Sequence, residues 1–559
     1  MNGENMTRRT SLFLYGALCV ILIFSMAPLV AFLKIALSSL WDANKSLGAA
    51  GTISSFLSRI PVSTIVRSLK FTLSQSLAST LLAIAIGLPG AWFAARFRFA
   101  GRKALLALAA VPFCFPPILV ILAFILYYGK EGFLSSVISW FFGPRKQYQG
   151  FLYSFWGLVM VHAFYNFPIA VHQISALWIR IPDTQMEAAK TLGAGKLKAF
   201  RTGVLPWLLP GIAQAAGLIF LYCFFSFTTV LVFGGRTGTT IEVEIYQALR
   251  YQSNYPLALT FSVIETFFAL LGILMLTHIQ GRTRRSLRDF GRTRELTAPK
   301  GIQRFFIIIY GIFILIFFIG PLMSIAIEAF KVPSSMGGTT KFGFGNFERL
   351  IKGFQAPLLG AILSTIKLSG SAALIATIAG IIASLALFFA EKSNKNRAVP
   401  RTIEVLQWLP MAVSSAIFAY GWLFLSTNRV ASTALVAAQA VIAWPFVSRA
   451  VHASLRAIDP RIREAAKTLG ASPFRAFMTV ELRTILPSIA AAAAFAFSIT
   501  AGDVNVPLML GMGEVETLPL LLYRLTAAYR FNEACAAGLV LGLMTGIVFL
   551  LKEKVIDVA

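Results

Sequence analysis

Stretches of about 20 apolar residues, each long enough to cross a hydrocarbon layer as a helix, recur along the chain and limit its folds more than any other feature. Twelve can be counted, beginning near Leu12, Ile65, Ala104, Leu152, Trp207, Leu257, Phe305, Ala361, Ile403, Ala434, Ile485 and Ala534. A backbone in lipid has no water to bond, so such segments must satisfy their own N–H and C=O groups as helices. The expected fold class is all-α, a polytopic membrane protein with twelve transmembrane helices. Composition agrees, since 57% of residues are hydrophobic and 13% charged. That is about half the charge of a soluble domain and excludes a soluble enzyme. The formal net charge of +27 raises the question of nucleic acid, and the distribution of the charge answers it. Arg and Lys lie in short clusters between apolar runs, at Arg8 and Arg9, Arg96 to Lys103, Lys196 to Arg201 and Arg282 to Arg304. Every second loop is basic, the pattern of an inner-membrane protein that keeps Lys and Arg in the cytoplasm. Both termini are expected on that side, with membrane lipid and no nucleic acid as partner of the basic clusters.

The chain repeats itself at half-length. The segment 181–212 aligns without gaps on 458–489 at an offset of 277 residues, and Glu187 to Ala194 are the same as Glu464 to Ala471. The same offset pairs Pro168 with Pro445, Gly234 with Gly511 and Tyr246 with Tyr523. This divides the chain into a first half, 1–280, a basic cytoplasmic linker, 281–304, and a second half, 305–559. Each half holds six helices, an even number, so the two are expected to be parallel in the membrane.

In both halves the repeated segment lies between the fourth and fifth helix, on the side assigned to the cytoplasm. Its local signals are helix, turn, helix. Thr184 with Glu187 has capping-box spacing, and Asp459 with Pro460 offers an N-cap followed by Pro at the first helical position. Gly193 and Gly470 sit where a left-handed residue ends a helix, and Ser472-Pro473 restarts the second copy. A helix lying on lipid head groups would need only amphipathicity. The same octapeptide twice points instead to a protein partner that reads it.

These residues resemble the EAA loop of permease subunits in bacterial binding-protein-dependent ABC importers, and the resemblance extends over nearly the whole chain. In the first copy Glu187, Ala188, Ala189, Gly193, Leu205 and Pro206 match the family's pattern, with Gly203 where Ile is usual. In the second Glu464, Ala465, Ala466, Gly470, Val480 and Leu482 match, with Arg483 in place of the proline. The resemblance implies a type I importer fold of two fused six-helix repeats, loops that couple to ATPase subunits, two copies of that ABC ATPase, and an external solute-binding protein, either periplasmic or a lipoprotein. It also implies the bacterial inner membrane. The stretch from Cys223 to Leu249, with Ala501 to Asp503 and Thr517 to Pro519, is similar to fused thiamine permeases. Ferric-iron permeases share much of it, so thiamine is expected ahead of ferric iron, and both ahead of organic anions such as phosphonates.

Nucleotide chemistry is not expected on this chain. Gly195-Lys196 lacks the earlier P-loop glycine and is followed by Leu197 rather than Ser or Thr. No cofactor or metal is therefore expected here, and ATP with Mg belongs to the partner ATPase. The four histidines form no metal motif, and helix packing is the expectation for each. Ionisable and amide groups at membrane depth are costly, which makes Glu265, Asp503, Asn505 and Asn166 the candidates for a substrate path. Hydrogen bonding within the bundle is the alternative for Glu265 and Asp503. A major-facilitator-type secondary transporter, the rival class, also has twelve helices in two parallel halves, but it has no need of a repeated docking helix after helix 4.

Overall fold

The computed structural model describes residues 2–43, 54, 60–108, 115–130, 132–142, 151–234, 238–287, 295–332, 341–352, 357–393, 398–426, 431–471, 473–510 and 515–558. In the first half the helices are α1 (Asn2–Ala43), α2 (Val62–Arg96), α3 (Arg102–Ala107), α4 (Pro117–Tyr128), α5 (Phe133–Phe142), α6 (Phe155–Trp178), α7 (Thr184–Thr191), α8 (Lys196–Gly203), α9 (Leu205–Phe224), α10 (Thr228–Phe233), α11 (Ile241–Arg250) and α12 (Tyr255–Leu287). The second half runs through α13 (Ile302–Ile314), a π turn, α14 (Gly320–Phe330), α15 (Gly345–Lys352), α16 (Pro357–Ser393), α17 (Ala398–Trp408), α18 (Ser415–Leu425), α19 (Ala431–Ala457), α20 (Pro460–Thr468), α21 (Pro473–Ala476), α22 (Leu482–Ala501), α23 (Asn505–Leu510), α24 (Leu518–Ala527) and α25 (Phe531–Val558). Two two-residue strands, Lys331–Val332 and Lys341–Phe342, pair antiparallel.

Among the described residues ten helical runs are long and apolar enough to cross a membrane, and eleven if the pair Ala398–Ala412 and Ser415–Leu425, bent by 86°, is one span. The chain is thus a multi-pass membrane protein, while the count of twelve is not reached. The run missing from the twelve is α6, a 24-residue helix whose apolar character is diluted by His162, Asn166, His172 and Gln173. The third span starts at Pro117 and not near Ala104. Pro116 and Pro117 cannot continue a helix from α3, because each lacks an N–H and restricts the residue before it. The ninth span breaks for a similar reason at Pro410, with Ser414 capping α18 by accepting from Ala416 N at 3.2 Å.

The chain forms two compact units that do not follow the sequence halves. Unit one comprises Met1–Ile60, Ile245–Thr266 and Phe344–Ala559, and unit two Pro61–Glu244 and Phe267–Gly343. Each unit therefore holds the first long helix of the other half. In unit one α1 packs on the second half: Trp444 Nε1 donates to Ser25 Oγ at 3.1 Å, and a Cβ on Gly421 would stand 2.2 Å from Pro28 O. Leu14 and Leu18 join Ala376, Ala383, Ala386 and Trp444 in one core. In unit two α13 and α14 pack on the first half. Tyr310 Oη donates to Ile86 O at 3.1 Å across the notch left by Gly90, and Phe318 stacks on Phe164 at 4.4 Å. The outward faces of α1 and α13 carry exposed Leu12, Phe13, Ile23, Phe305 and Ile308, as expected of surfaces solvated by lipid.

The basic linker is partly structured. Arg282, Arg284 and Arg285 extend α12, residues 288–294 lie outside the described residues, and Thr297 is stitched to the end of α2. Thr297 N donates to Arg96 O at 3.1 Å and Arg98 N to Thr297 O at 2.9 Å.

Candidate functional site

The two repeated loops fold as short helices whose surfaces are left open. In unit two α7 contains no buried residue. Glu187, Ala188, Glu464 and Ala465 are exposed, and Ala189 and Ala466 half-buried. Both helices end as the sequence requires. Gly193 has φ +80° and Gly470 φ +81°, and Ala194 N and Ala471 N close back onto Ala189 O and Ala466 O, each at 3.0 Å. A Cβ at either glycine would meet nothing within 4 Å, so glycine is needed there for its backbone and not for space.

The starts differ from each other. Asp459 Oδ1 accepts from Arg461 N at 2.9 Å, the expected N-cap. The capping box expected at Thr184 and Glu187 does not form: Asp183 occupies the cap position and makes no side-chain cap bond. Its carboxylate instead accepts from Arg96 Nη2 at 3.0 Å, a charge-assisted bond about twice as strong as one to a neutral N–H. Ser472, expected to restart the second copy, lies outside the described residues.

The exits explain the two departures from the family pattern. A Cβ on Gly203 would stand 2.7 Å from Gln185 O, so only glycine lets α8 lie against the start of α7. Leu205 and Pro206 then open α9, with Pro in its first turn. In the second copy Val480 lies in a π turn, Phe477–Glu481, that runs on into α22 at Leu482. Arg483 keeps the N–H that proline lacks, and the helical run Phe477–Leu510 counts as one 34-residue span.

Two residues that sequence reasoning passed over stand out on these loops. Leu192 and Leu469 occupy equivalent positions and are each 88% exposed. One exposed leucine needs no explanation. The same leucine laid bare just before the left-handed glycine in both copies suits a surface that a partner covers, and its identity within the octapeptide was the available signal.

The membrane-depth candidates divide between the units, Asn166 in unit two and Glu265, Asp503 and Asn505 in unit one. Glu265 is entirely buried in α12. Asp503 and Asn505 are brought together: Asp503 Oδ1 accepts from Asn505 N at 2.9 Å, and its Oδ2 from Gln439 Nε2 at 3.2 Å. Asn166 Nδ2 donates to His162 O at 2.8 Å, within its own helix. Under the 277-residue offset Gln439 corresponds to His162 and Asp503 to Ser226, and His162 Nε2 meets Ser226 Oγ at 2.7 Å. One position pair thus carries a hydrogen bond in each unit, with a carboxylate in unit one only. The packing role expected of His162 thus includes a hydrogen bond to the turn between α9 and α10, and Gln439, which no motif singles out, is its counterpart under the offset.

The chain matches the family model of the binding-protein-dependent transport system inner membrane component in two segments, 87–289 and 376–553. A thiamine transport system permease protein of Brucella abortus is 27% identical over 499 residues, covering 87% of each chain. Its Escherichia coli counterpart is 27% identical over 504 residues, 87% of this chain and 88% of that one. An Fe(3+)-transport system permease protein of Haemophilus influenzae is 26% identical over 489 residues, 85% of this chain and 87% of that one. With most of its length matched and the match falling once in each half, the chain belongs to the family of binding-protein-dependent transport system inner membrane components.

Proposed function

We propose that this chain is the whole membrane path of an ATP-driven thiamine importer, one fused chain acting where two permease subunits usually pair. The halves 1–280 and 305–559 each present one coupling helix to one copy of an ABC ATPase. An external binding protein delivers the cargo. ATP and Mg act on the ATPase, and this chain transmits its movement without catalysing a reaction. The chain lies in the bacterial inner membrane with both termini and the 281–304 linker in the cytoplasm, a placement that the alternation of basic loops supports. The observation that carries the reading is the pair of exposed helices with the same octapeptide and the same left-handed stop. Glu187, Ala188, Ala189, Gly193, Leu205 and Pro206, with Glu464, Ala465, Ala466, Gly470, Val480 and Leu482, form and orient the docking surface.

Thiamine is favoured by the relatives of that name and by chemistry: a delocalised cation suits a path with carboxylates at Glu265 and Asp503 and amides at Asn166 and Asn505. The ferric-iron relative, nearly as similar, supports Fe(3+) as the second reading. Proteoliposomes holding this chain with its ATPase and binding protein, offered labelled thiamine and Fe(3+) in parallel, separate the two. ATP-dependent and binding-protein-dependent uptake of thiamine is expected. Uptake of Fe(3+) alone would move the cargo, and uptake driven by an ion gradient without ATP would replace the mechanism with that of a facilitator.

A further inference from the structure

The exposed helices are the same over eight residues, yet the ion pairs behind them have opposite polarity. In unit two the base ends α2 and the acid precedes α7, with Arg96 Nη2 3.0 Å from Asp183 Oδ1. In unit one the acid lies near the end of α16 and the bases near the end of α19, the helix leading into α20. There Glu391 Oε2 is 3.4 Å from Arg456 Nε, and Oε1 is 3.4 Å from His452 Nε2. The 277-residue offset places Asp183 on Pro460 and Arg456 on Ile179, so neither pair is a copy of the other. The mechanical outcome is nonetheless the same, because in each half a long helix of more than thirty residues, α2 or α16, is tied to the chain entering its docking helix. The unit-two tie also holds the linker, since Thr297 N and Oγ1 both donate to Arg96 O, at 3.1 and 3.3 Å.

We infer that Arg96–Asp183 and Glu391–Arg456 are transmission struts, positioning residues that convert movement of a docking helix into movement of the long helix behind it. All four side chains are partly exposed, where an ion pair contributes little to stability, so their use is to fix an angle. The reversed polarity adds selectivity. Exchanged partners would set Arg96 against Arg456 and Glu391 against Asp183, like charges in both cases, and such repulsion is an effective way to reject a wrong pairing. A chain whose first helices each pack on the opposite half needs that rejection while it folds.

The inference rests on the coupling role proposed above, and the experiment separates the two. The chain is reconstituted with its ATPase and binding protein, and labelled thiamine taken up per ATP hydrolysed is measured for Arg96→Asp, Asp183→Arg and their double exchange, and for Glu391→Arg, Arg456→Glu and theirs. Single variants should still co-purify with the ATPase while uptake per ATP falls roughly fivefold, and each double exchange should restore it to within about twofold. Singles with an unchanged ratio, or folded doubles as impaired as the singles, overturn the struts. Glu187→Arg tests the underlying reading separately, because retained ATPase binding and uptake in that variant would remove the coupling loop itself.

Discussion

The two repeated loops are alike where the proposed partner would touch them and unlike where they join the rest of the chain. Glu187 to Ala194 and Glu464 to Ala471 share sequence, exposure and a left-handed glycine at nearly the same φ. Behind them the details of attachment differ: Asp183 binds Arg96 while Asp459 caps its own helix, and α8 breaks before Pro206 while the second copy runs through a π turn. Under the proposed function both surfaces meet copies of one ATPase, which would hold them to one form. Attachments inside a single chain, which meet different neighbours, are free to diverge provided each still fixes its loop. Fusion of the halves permits this divergence, since two copies of one gene product could not carry opposite strut polarity.

The comparison can be broken in several ways. The largest effect is expected at the exposed leucines. Leu192→Glu or Leu469→Glu should each weaken ATPase binding at its own loop by ~2 kcal/mol, about thirtyfold, read by titration of the ATPase onto the purified chain; a loss confined to one loop would end the equivalence of the two surfaces. Next is the exit. Gly203→Ile forces a side chain against Gln185 O and should cost about 1–3 kcal/mol, seen as a lower apparent melting temperature in detergent. Val480→Gly, at the matching position, should cost about 0.5–1 kcal/mol, and equal shifts would show that the exits are built alike after all. Gly193→Ala and Gly470→Ala should each cost about 1–2 kcal/mol locally and by the same amount, measured as ATPase affinity. Small effects, of the size given for Val480→Gly, belong to the first helix of each half: Ser25→Ala removes the acceptor of Trp444 Nε1 along with its own bond to Ile21 O, Tyr310→Phe removes the bond to Ile86 O, and each should cost about 0.5–1.5 kcal/mol, read as a lower melting temperature of the detergent-solubilised chain.

What the sequence showed and what it hid follow from the range of the interactions. The short repeated helices were legible because helix stops and caps act over a few residues, as at Gly193, Gly470 and Asp459. The Thr184 and Glu187 spacing misled for the opposite reason: Asp183 takes the cap position, and its carboxylate is engaged by Arg96, 87 positions away, which nothing local announces. The apolar runs located most spans, but α6 carries enough polar groups to fall below membrane hydropathy, and the prolines at 116 and 117 moved the third span later than its apolar content suggests. The crossing of α1 and α13 was not legible at all. A helix solvated by lipid is apolar on every face, so its pattern does not say which half it will pack against. The polar pairs His162 with Ser226 and Gln439 with Asp503 were visible only as scattered residues until the offset and the bonds were seen together.

The claim on which the rest depends is that each half docks one ATPase through its own loop. Native mass spectrometry of the purified assembly counts the copies directly. Two ATPase subunits are expected on the unaltered chain, one on Glu187→Arg or Glu464→Arg, and none on the double variant. A single ATPase on the unaltered chain, or two retained on the double variant, would contradict it.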